Sequence, residues 1–192
     1  MTELRQDAEM GMYKYKNKWV LSALVVVLIC GGLVIGIQYK LEERSHSKLS
    51  DLHKAIKDTY GDFYIPSRAI DADELELSYG ISMDDVDSYI AESAMMSTYA
   101  DVFLSFKAVK GRADVIETEL KNYRGELLAQ FSDNKAVYAK IEASQVFRYG
   151  DYVIYMVVGQ NSDSINSDES TYHEQAKSEF IKCQKIVVKL FK

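Results

Sequence analysis

Seven carboxylates lie close together in the sequence and form its densest group of potential metal ligands. They fall between positions 71 and 87: Asp71, Asp73, Glu74, Glu76, Asp84, Asp85 and Asp87. Carboxylate oxygens are the ligands that Ca²⁺ prefers. The EF-hand calcium loop, however, requires the pattern D-x-[DN]-x-[DN]-G, and here Leu75 stands at the fifth position with no glycine after it. We therefore interpret the group as a solvated acidic surface and predict no metal site.

The three histidines are the other residues whose type suits catalysis or zinc binding. His46 and His53 are seven positions apart, which on one helix separates them by about 10 Å, too far to share a zinc ion. His173 lies in no nucleophile motif, although a fold can supply partners from elsewhere. The sequence also has no Gly-rich phosphate loop and no His/Glu metal pair. We therefore assign no catalytic, cofactor-binding or metal-binding residue. The sequence favours a protein that is not an enzyme.

Aromatic residues are concentrated around a turn that follows the first predicted helix. They are Tyr60, Phe63 and Tyr64, with Gly61 and Asp62 between them. Exposed aromatic rings stack on sugars, so these three residues form a candidate binding surface for cell-wall glycans. Tyrosine is also a favoured strand residue, and the alternative is that these rings belong to the core.

The composition is that of a folded globular domain. The chain has 192 residues, of which 47% are apolar and 27% are charged, with a single proline and a net charge of -6. This length builds one domain with a real core once an anchor is subtracted. Beyond residue 37 there are 19 basic and 26 acidic residues. A nucleic-acid partner favours a basic patch, and the sequence has none outside Lys14, Lys16 and Lys18, so we expect no nucleic-acid partner.

A long apolar run near the N-terminus predicts a membrane anchor. It begins at Trp19 and ends at Ile37, and Ser22 is its one polar side chain. A helix of this length measures roughly 28 Å, close to the thickness of the hydrocarbon core of a bilayer. We therefore predict a transmembrane helix at 19–38, with the lipid bilayer as its partner. Three lysines lie within five residues before the run and one lies within five residues after it. This difference predicts that residues 1–18 are a cytoplasmic tail.

Two other N-terminal signals stay open as alternatives. A cleaved signal peptide also joins a basic segment to an apolar one, but its apolar part is typically about 7–15 residues long and ends in an A-x-A-like site. This run is longer and has no clear site of that kind. A lipoprotein signal ending at Cys30 requires a small residue before the cysteine, where the chain has Ile29. A retained helix is therefore the favoured prediction.

The segment after the anchor is predicted as a polar helix over 41–60, either a stalk that continues the membrane helix or the first helix of the domain. Its narrow apolar stripe has helical spacing: Leu49, Leu52, Ile56 and Tyr60. Gly61 is placed to end this helix. Pro66 and the acidic residues after it predict a loop.

Three further helices are predicted. Residues 111–131 carry an apolar stripe at helical spacing, and a short helix is predicted at 134–142. Thr171 and Glu174 form a capping box that would open the last helix. The stripe of that helix contains Cys183, which we expect to be a buried, structural residue.

Four strands are predicted, in two pairs. Residues 101–109 alternate between apolar and polar side chains, as a half-buried strand does, and 86–96 is favoured as its antiparallel partner over a short helix. Residues 145–149 and 152–158 are predicted to form a hairpin. The second of these is apolar on both faces and should be a central strand. A loop of small polar residues follows at 161–170.

These elements predict an α+β fold, in which a small antiparallel sheet packed with helices follows an N-terminal transmembrane helix. The predicted organisation is a cytoplasmic tail at 1–18, a transmembrane helix at 19–38, a stalk or first helix at 39–59, and an extracytoplasmic α+β domain at 60–192. We expect that domain to be monomeric. Cys30 and Cys183 lie too far apart for an intramolecular disulfide, so its stability has to come from core burial.

Several segments together resemble a known family. They are the stretch from Ile81 to Tyr89, Ala100 and Asp101 before a strand that ends in Lys107, the long helix, and the late strand Gly150-Asp151-Tyr152-Val153. The pattern resembles DUF4358, a family of uncharacterised domains. Proteins of that family have an N-terminal membrane or lipoprotein anchor and come mostly from Firmicutes. The resemblance implies a bacterial envelope location and brings no known activity.

The expected function follows from this placement. We predict a single-pass protein of the cell membrane whose domain binds an envelope protein or a glycan, without catalysis and without a cofactor. The alternative is a membrane-tethered hydrolase or transferase whose site is assembled only in the fold. A cleft that gathers two or more titratable groups around His173 or around the carboxylates of 71–87 would favour the enzyme.

Overall fold

The computed structural model describes residues 46–160 and 169–192, together with Val27. The two ranges lie in one compact unit, Arg44–Lys192. The predicted membrane helix at 19–38 lies outside the described residues except for Val27, and the predicted cytoplasmic tail lies outside them entirely. In the part of the chain that is described, no helix is long and apolar enough to cross a bilayer.

The described residues form five helices and a five-stranded antiparallel sheet, which confirms the α+β class. The helices are residues 46–60 (α1), Ala72–Tyr79 (α2), Ala113–Gln130 (α3), Lys135–Ala143 (α4) and Glu169–Phe191 (α5). The strands are Arg68–Ala69 (β1), Val86–Ser93 (β2), Val102–Ala108 (β3), Phe147–Tyr149 (β4) and Tyr152–Val157 (β5). Their order in the sheet is β1-β2-β3-β5-β4, and every neighbouring pair is antiparallel.

The sheet separates two hydrophobic cores because successive side chains of a strand point to opposite faces. Along β3, Leu104 and Phe106 enter the core that α2, α3 and α4 cover, whereas Phe103 enters the core that α1 and α5 cover. β5 lies between β3 and β4, and its side chains from Val153 to Val157 are buried. The prediction of a central strand is therefore confirmed.

The first helix packs on the sheet. Its predicted apolar stripe, which consists of Leu49, Leu52, Ile56 and Tyr60, is buried. The next residue, Gly61, adopts a left-handed backbone with a φ of 51°. Glycine takes this conformation without a side-chain clash, so it ends α1 as predicted. The described helical residues before position 60 are thus part of the compact unit.

The loop predicted after Pro66 is wrong. Arg68–Ala69 pairs with β2 at the edge of the sheet, and α2 follows at Ala72–Tyr79. The reason is helix capping: the side chain of Asp71 accepts a hydrogen bond of 2.8 Å from the backbone N–H of Glu74. Acidic residues in the first turn also suit the helix dipole. The acidic residues that suggested a loop therefore start a helix.

The predicted start of the last helix is also wrong. α5 already includes Glu169 and Ser170, so Thr171 lies inside the helix and is not its N-cap. The Thr-x-x-Glu pattern is ambiguous because its residues also occur within helices. Of the loop predicted at 161–170, residues 161–168 lie outside the described part of the chain.

The other predicted elements are confirmed to within a few residues. The segment 86–96 pairs with 101–109 as β2 and β3, so the strand was the right choice over a helix. The side chain of Asn134 caps α4 by accepting a hydrogen bond of 3.2 Å from the N–H of Val137. The hairpin of β4 and β5 turns at Gly150, whose φ is 61°.

Candidate functional site

The fold divides the predicted aromatic surface. Tyr60 is buried, and its hydroxyl donates to the backbone carbonyl of Glu179 at 2.6 Å. Tyr64 is half-buried, and its hydroxyl donates to Oε2 of Glu92 at 2.8 Å. Burial raises the pKa of Tyr64, so this hydroxyl stays protonated. Phe63 is 48% exposed and is the ring of the three that faces solvent most openly.

A half-buried group of polar side chains surrounds Glu92 where α1 meets β2. Oε2 of Glu92 lies 3.0 Å from Nε2 of His53 and 3.9 Å from Nζ of Lys57, besides its hydrogen bond from Tyr64. The ring of His53 also packs against Phe103, with the ring centroids 5.0 Å apart. These contacts attach α1 to the sheet. Sequence reasoning missed them because the residues come from three separate elements.

The carboxylates of the predicted acidic surface make separate contacts with the residues near them. Glu74 accepts two hydrogen bonds from Arg68, at 2.6 and 2.7 Å. Asp85 is buried and pairs with Arg112. Among the described residues, no group of three His, Cys, Asp or Glu side chains is arranged to hold a metal ion. These carboxylates therefore have structural roles: they form ion pairs with arginines of neighbouring segments, and Asp71 caps α2.

His173 forms a pair with Glu142 beside a shallow groove of about 570 Å³ that α3 and the end of α4 line. Nδ1 of His173 lies 3.0 Å from Oε2 of Glu142. Arg124 also lines the groove and donates to the backbone carbonyls of Glu142 and Ser144. The hydroxyl of Ser144 is buried and donates to the carbonyl of Ile141 at 2.6 Å. Glu142 of this pair lines the groove and His173 does not, while the hydroxyl of the lining Ser144 is already hydrogen-bonded within the fold.

A second cleft, of about 270 Å³, lies between the end of α2 and α3. The rings of Tyr79 and Tyr123 line it and contact each other, with centroids 4.6 Å apart. Glu119 and Glu126 line it from α3, and Glu119 accepts a hydrogen bond of 3.2 Å from the side-chain amide of Asn122. The cleft therefore combines aromatic rings with carboxylate and amide groups.

This cleft is acidic and rich in hydrogen-bond acceptors. Among the described residues, no lysine or arginine lines it. Burial raises the pKa of Tyr79 and of Tyr123, so both hydroxyls stay protonated. Gly80 ends α2 in a left-handed backbone with a φ of 67°, which favours glycine, and it lies next to the carboxylate of Glu119 on α3. Glu126 is exposed at the rim, where its carboxylate is accessible to a ligand.

A buried ion pair lies at one end of the sheet. Nζ of Lys140, on α4, is 2.6 Å from Oδ1 of Asp101 and 2.6 Å from the carbonyl oxygen of Gly159. The two charged side chains are only 6% and 2% exposed. Asp101 precedes β3 and Gly159 follows β5, and the antiparallel register places these strand ends side by side. The sheet therefore presents a carboxyl group and a carbonyl oxygen to the lysine on α4.

Glu179, on α5, lies against the same cluster. A Cβ on Gly159 would be 2.9 Å from Oε2 of Glu179 and 2.9 Å from the ring of Tyr60, and the φ of Gly159 is 104°. Only glycine fits there without a shift. Burial raises the pKa of Asp101 against the opposing effect of Lys140. Burial lowers the pKa of Lys140 against the opposing effects of Asp101 and Glu179.

The burial of Cys183 was predicted from the sequence, whereas the burial of Lys140 was not. Cys183, near Tyr60, is buried as predicted, and burial raises its pKa to about 12, so the thiol stays protonated. Lys140 was missed by sequence reasoning. Its one signal is a charged residue within an otherwise apolar helix turn, beside Val137 and Ile141.

Together the fold and these sites define a small α+β domain with a ligand-sized cleft and a buried ionic cluster. A family profile described as Domain of unknown function (DUF4358) matches residues 59–158, just over half of the chain. The chain belongs to this family, as the resemblance indicated. The matched region includes the cleft and the pair of Asp101 and Lys140, whereas Gly159 is the first residue after it and Glu179 lies further on, in α5. No curated protein and no solved structure matches the chain.

Proposed function

We propose that this chain is a single-pass membrane protein of a bacterial envelope whose extracytoplasmic domain binds a cell-wall glycan. The cleft between α2 and α3 is the observation that carries the binding part of the proposal. The apolar run that ends at Ile37 supports the anchor, and the positive charge before that run supports a cytoplasmic N-terminus. The protein then holds its domain close to the membrane while the domain contacts the wall.

The lining of the cleft suits a sugar. Sugar hydroxyls donate hydrogen bonds to carboxylates, and sugar ring faces stack on aromatic rings. Glu119 and Glu126 supply the acceptors, and the half-buried ring of Tyr123 supplies an aromatic surface, whereas Tyr79 is buried beneath it. The volume of about 270 Å³ is slightly below the roughly 300–1,000 Å³ of small-molecule sites and suits a single sugar unit. A protein partner typically covers a face of about 800 Å² on each side. A small concave cleft suits a sugar better than it suits such a face, so we favour the glycan.

Glu126→Ala is expected to weaken binding of purified bacterial cell wall by about tenfold or more. The reason is that a hydrogen bond to a charged group contributes about 1.5–3 kcal/mol, and about 1.4 kcal/mol corresponds to a factor of ten. The measurement is co-sedimentation of the full chain, in detergent, with increasing amounts of insoluble cell wall. Phe63→Ala is the control, because Phe63 is exposed on the predicted aromatic turn and is not among the residues that line the cleft.

The outcomes separate the candidate functions. Loss of binding in Phe63→Ala with binding retained in Glu126→Ala would move the site to the aromatic turn. An absence of wall binding by the wild-type chain would contradict the glycan proposal and leave an envelope protein as the partner. Release of soluble wall fragments, abolished by His173→Ala, would favour the alternative of a membrane-tethered hydrolase or transferase. The pair of His173 and Glu142 beside its groove is the observation that favours that alternative.

The anchor predicts a topology that limited proteolysis tests. Protease added to intact spheroplasts is expected to remove the domain from Tyr60 onward and to spare the first 18 residues, because the tail would lie behind the membrane. Antibodies against an N-terminal and a C-terminal tag follow the two parts, and lysed spheroplasts provide the control in which both are cut. Protection of the whole domain in intact spheroplasts would reverse the proposed orientation.

A further inference from the structure

Basic and aromatic side chains meet at one end of the domain, beside the described start of α1. Nζ of Lys48 lies 4.5 Å from the ring centroid of Phe191 and 5.1 Å from that of Tyr152. The ring of Tyr149 also packs on Phe191, with the centroids 5.9 Å apart. All four side chains are partly exposed. The start of α1, the end of α5 and the turn between β4 and β5 thus form one surface, which we call the basal surface.

The last two turns of α5 add positive charge to the basal surface. Lys185, Lys189 and Lys192 are exposed, and their spacing of four and three residues places them on the same side of the helix. Within the described ranges, no carboxylate forms an ion pair with any of the three. Between Glu179 and Lys192 the sequence has no acidic residue. These lysines are therefore available to an anionic partner.

The side chains of the basal surface are of the kinds that contact lipid headgroups. Tyrosine has an apolar ring and a polar tip, which suit the boundary between hydrocarbon and water. Lysine is attracted to anionic headgroups. Nζ of Lys107 lies 5.5 Å from the ring of Tyr152 and 3.3 Å from Oδ2 of Asp151, so this pair adds no net charge. The positive charge comes from Lys48 and from α5, in a chain that is acidic beyond residue 37.

The predicted anchor is attached to the domain at this surface. Eight residues separate Ile37, the last residue of the predicted anchor, from His46. Even a fully extended chain spans at most about 3.6 Å per residue, so this tether can hold His46 no farther than roughly 30 Å from the end of the anchor. Lys48, which contacts the aromatic rings, is two residues further along α1. The tether therefore favours contact between the basal surface and the bilayer.

We propose that the basal surface docks on the anionic phosphate headgroups of the bilayer that holds the anchor. The inference rests on the anchor of the proposed function and does not depend on the glycan. Docking would give the domain a fixed orientation on a short tether. It would also leave the cleft free, because Tyr149 and Phe191 pack on the core of α1 and α5, whereas Tyr79 and Tyr123 belong to the core on the opposite face of the sheet.

Amine footprinting of the full chain in lipid nanodiscs tests the proposal. The nanodiscs contain phosphatidylcholine alone or mixed with phosphatidylglycerol, and peptide mapping measures how fast an amine-reactive reagent labels each lysine. The labelling rates of Lys185, Lys189 and Lys192 are expected to fall about fivefold or more in the anionic nanodiscs, because the headgroups cover these amines. Salt at about 1 M should restore the rates, because it shortens the Debye length to about 3 Å. Equal rates in the two lipids would overturn the proposal.

A lysine at the far end of α5 provides the internal control. Lys135 pairs with Glu169, the first residue of that helix, and is 66% exposed. The basal surface lies at the other end of its 23 residues, which is roughly 34 Å away. The labelling of Lys135 should therefore be the same in both lipids. Slower labelling of Lys135 in the anionic nanodiscs, equal to that of the basal lysines, would contradict docking through this surface.

Two double variants test the role of the basal charge. Lys189→Gln/Lys192→Gln leaves Lys185 as the reporter, and its protection in the anionic nanodiscs should mostly disappear. Lys121→Gln/Lys135→Gln is the matched control, since it removes the same charge from two exposed lysines outside the basal surface, and Lys185 should stay protected. Protection of Lys185 retained in the first variant, or lost in the second, would be evidence against the proposal.

The experiment also distinguishes this inference from the proposed function. A chain that fails to co-purify with nanodiscs would overturn the anchor and the docking together. Equal labelling in a chain that both lipids retain would overturn the docking alone. Protection by soluble polyphosphate in phosphatidylcholine nanodiscs, with none from phosphatidylglycerol, would show that the surface binds an anionic polymer and not the bilayer.

Discussion

Asp101→Ala is expected to lower the free energy of unfolding by about 3–5 kcal/mol, the usual effect of removing one partner of a buried ion pair. Lys140 would keep its buried amine with the carbonyl of Gly159 as its remaining described hydrogen-bond partner. Urea unfolding of the full chain in detergent measures the change. Near-UV circular dichroism of the tyrosines should follow it, because the single tryptophan, Trp19, lies in the predicted anchor.

Two variants test whether the effect comes from a buried charge. Glu169→Ala removes one partner of the pair with Lys135, in which both side chains are about two-thirds exposed, and should change the stability by no more than about 1 kcal/mol. The double variant Asp101→Ala/Lys140→Met removes both charges of the pair and should recover most of the lost stability. A loss for Asp101→Ala no larger than that for Glu169→Ala would contradict the buried pair.

Leu52→Ala is expected to lower the free energy of unfolding by about 2–5 kcal/mol, because Leu52 is fully buried and its truncation leaves a cavity between α1 and the sheet. The effect would show that α1 contributes to the stability of the domain and does not act as a free stalk. The same urea titration of the full chain measures it.

The control for this prediction is another leucine on a helix. Leu77, on α2, is 87% exposed, so Leu77→Ala should change the stability by no more than about 0.5 kcal/mol. Both substitutions change helix propensity in the same way, so the difference between them reports burial. Equal effects in the two variants would show that α1 is not packed as the structure describes.

The sequence predicts best those elements whose apolar spacing is regular over several turns. In α3, the predicted positions Ile116, Leu120 and Leu127 repeat on one face, and all three are buried. Such a pattern is a local property of the chain, because the helix period alone decides which side chains share a face. The α+β class was predictable for the same reason. The prediction that β3 is half-buried is wrong, because α1 and α5 cover the face that carries Phe103 and Ser105, and both of these side chains are buried.

The elements that the sequence predicts poorly are short or depend on a neighbour. β1 has two residues, Arg68–Ala69, and is a strand only because β2 offers an edge with which it pairs. α2 was predicted as a loop because its acidic residues follow a proline. The hydrogen bond by which Asp71 caps the helix is seen only in the structure. In both cases the decisive interaction is a hydrogen bond to another segment or along the backbone, which composition does not encode.

By itself the sequence determined the fold class, the family, the helices and strands with regular spacing and the burial of Cys183, and it is the sole basis for the predicted anchor. Only the tertiary structure decided which side chains meet. Asp101 and Lys140 are 39 positions apart, and Gly159, whose carbonyl contacts Lys140, follows a third element. The cleft likewise needs α2 and α3 side by side. The physical reason is that strand register and helix packing bring distant positions together, whereas residue spacing specifies only the faces of each element.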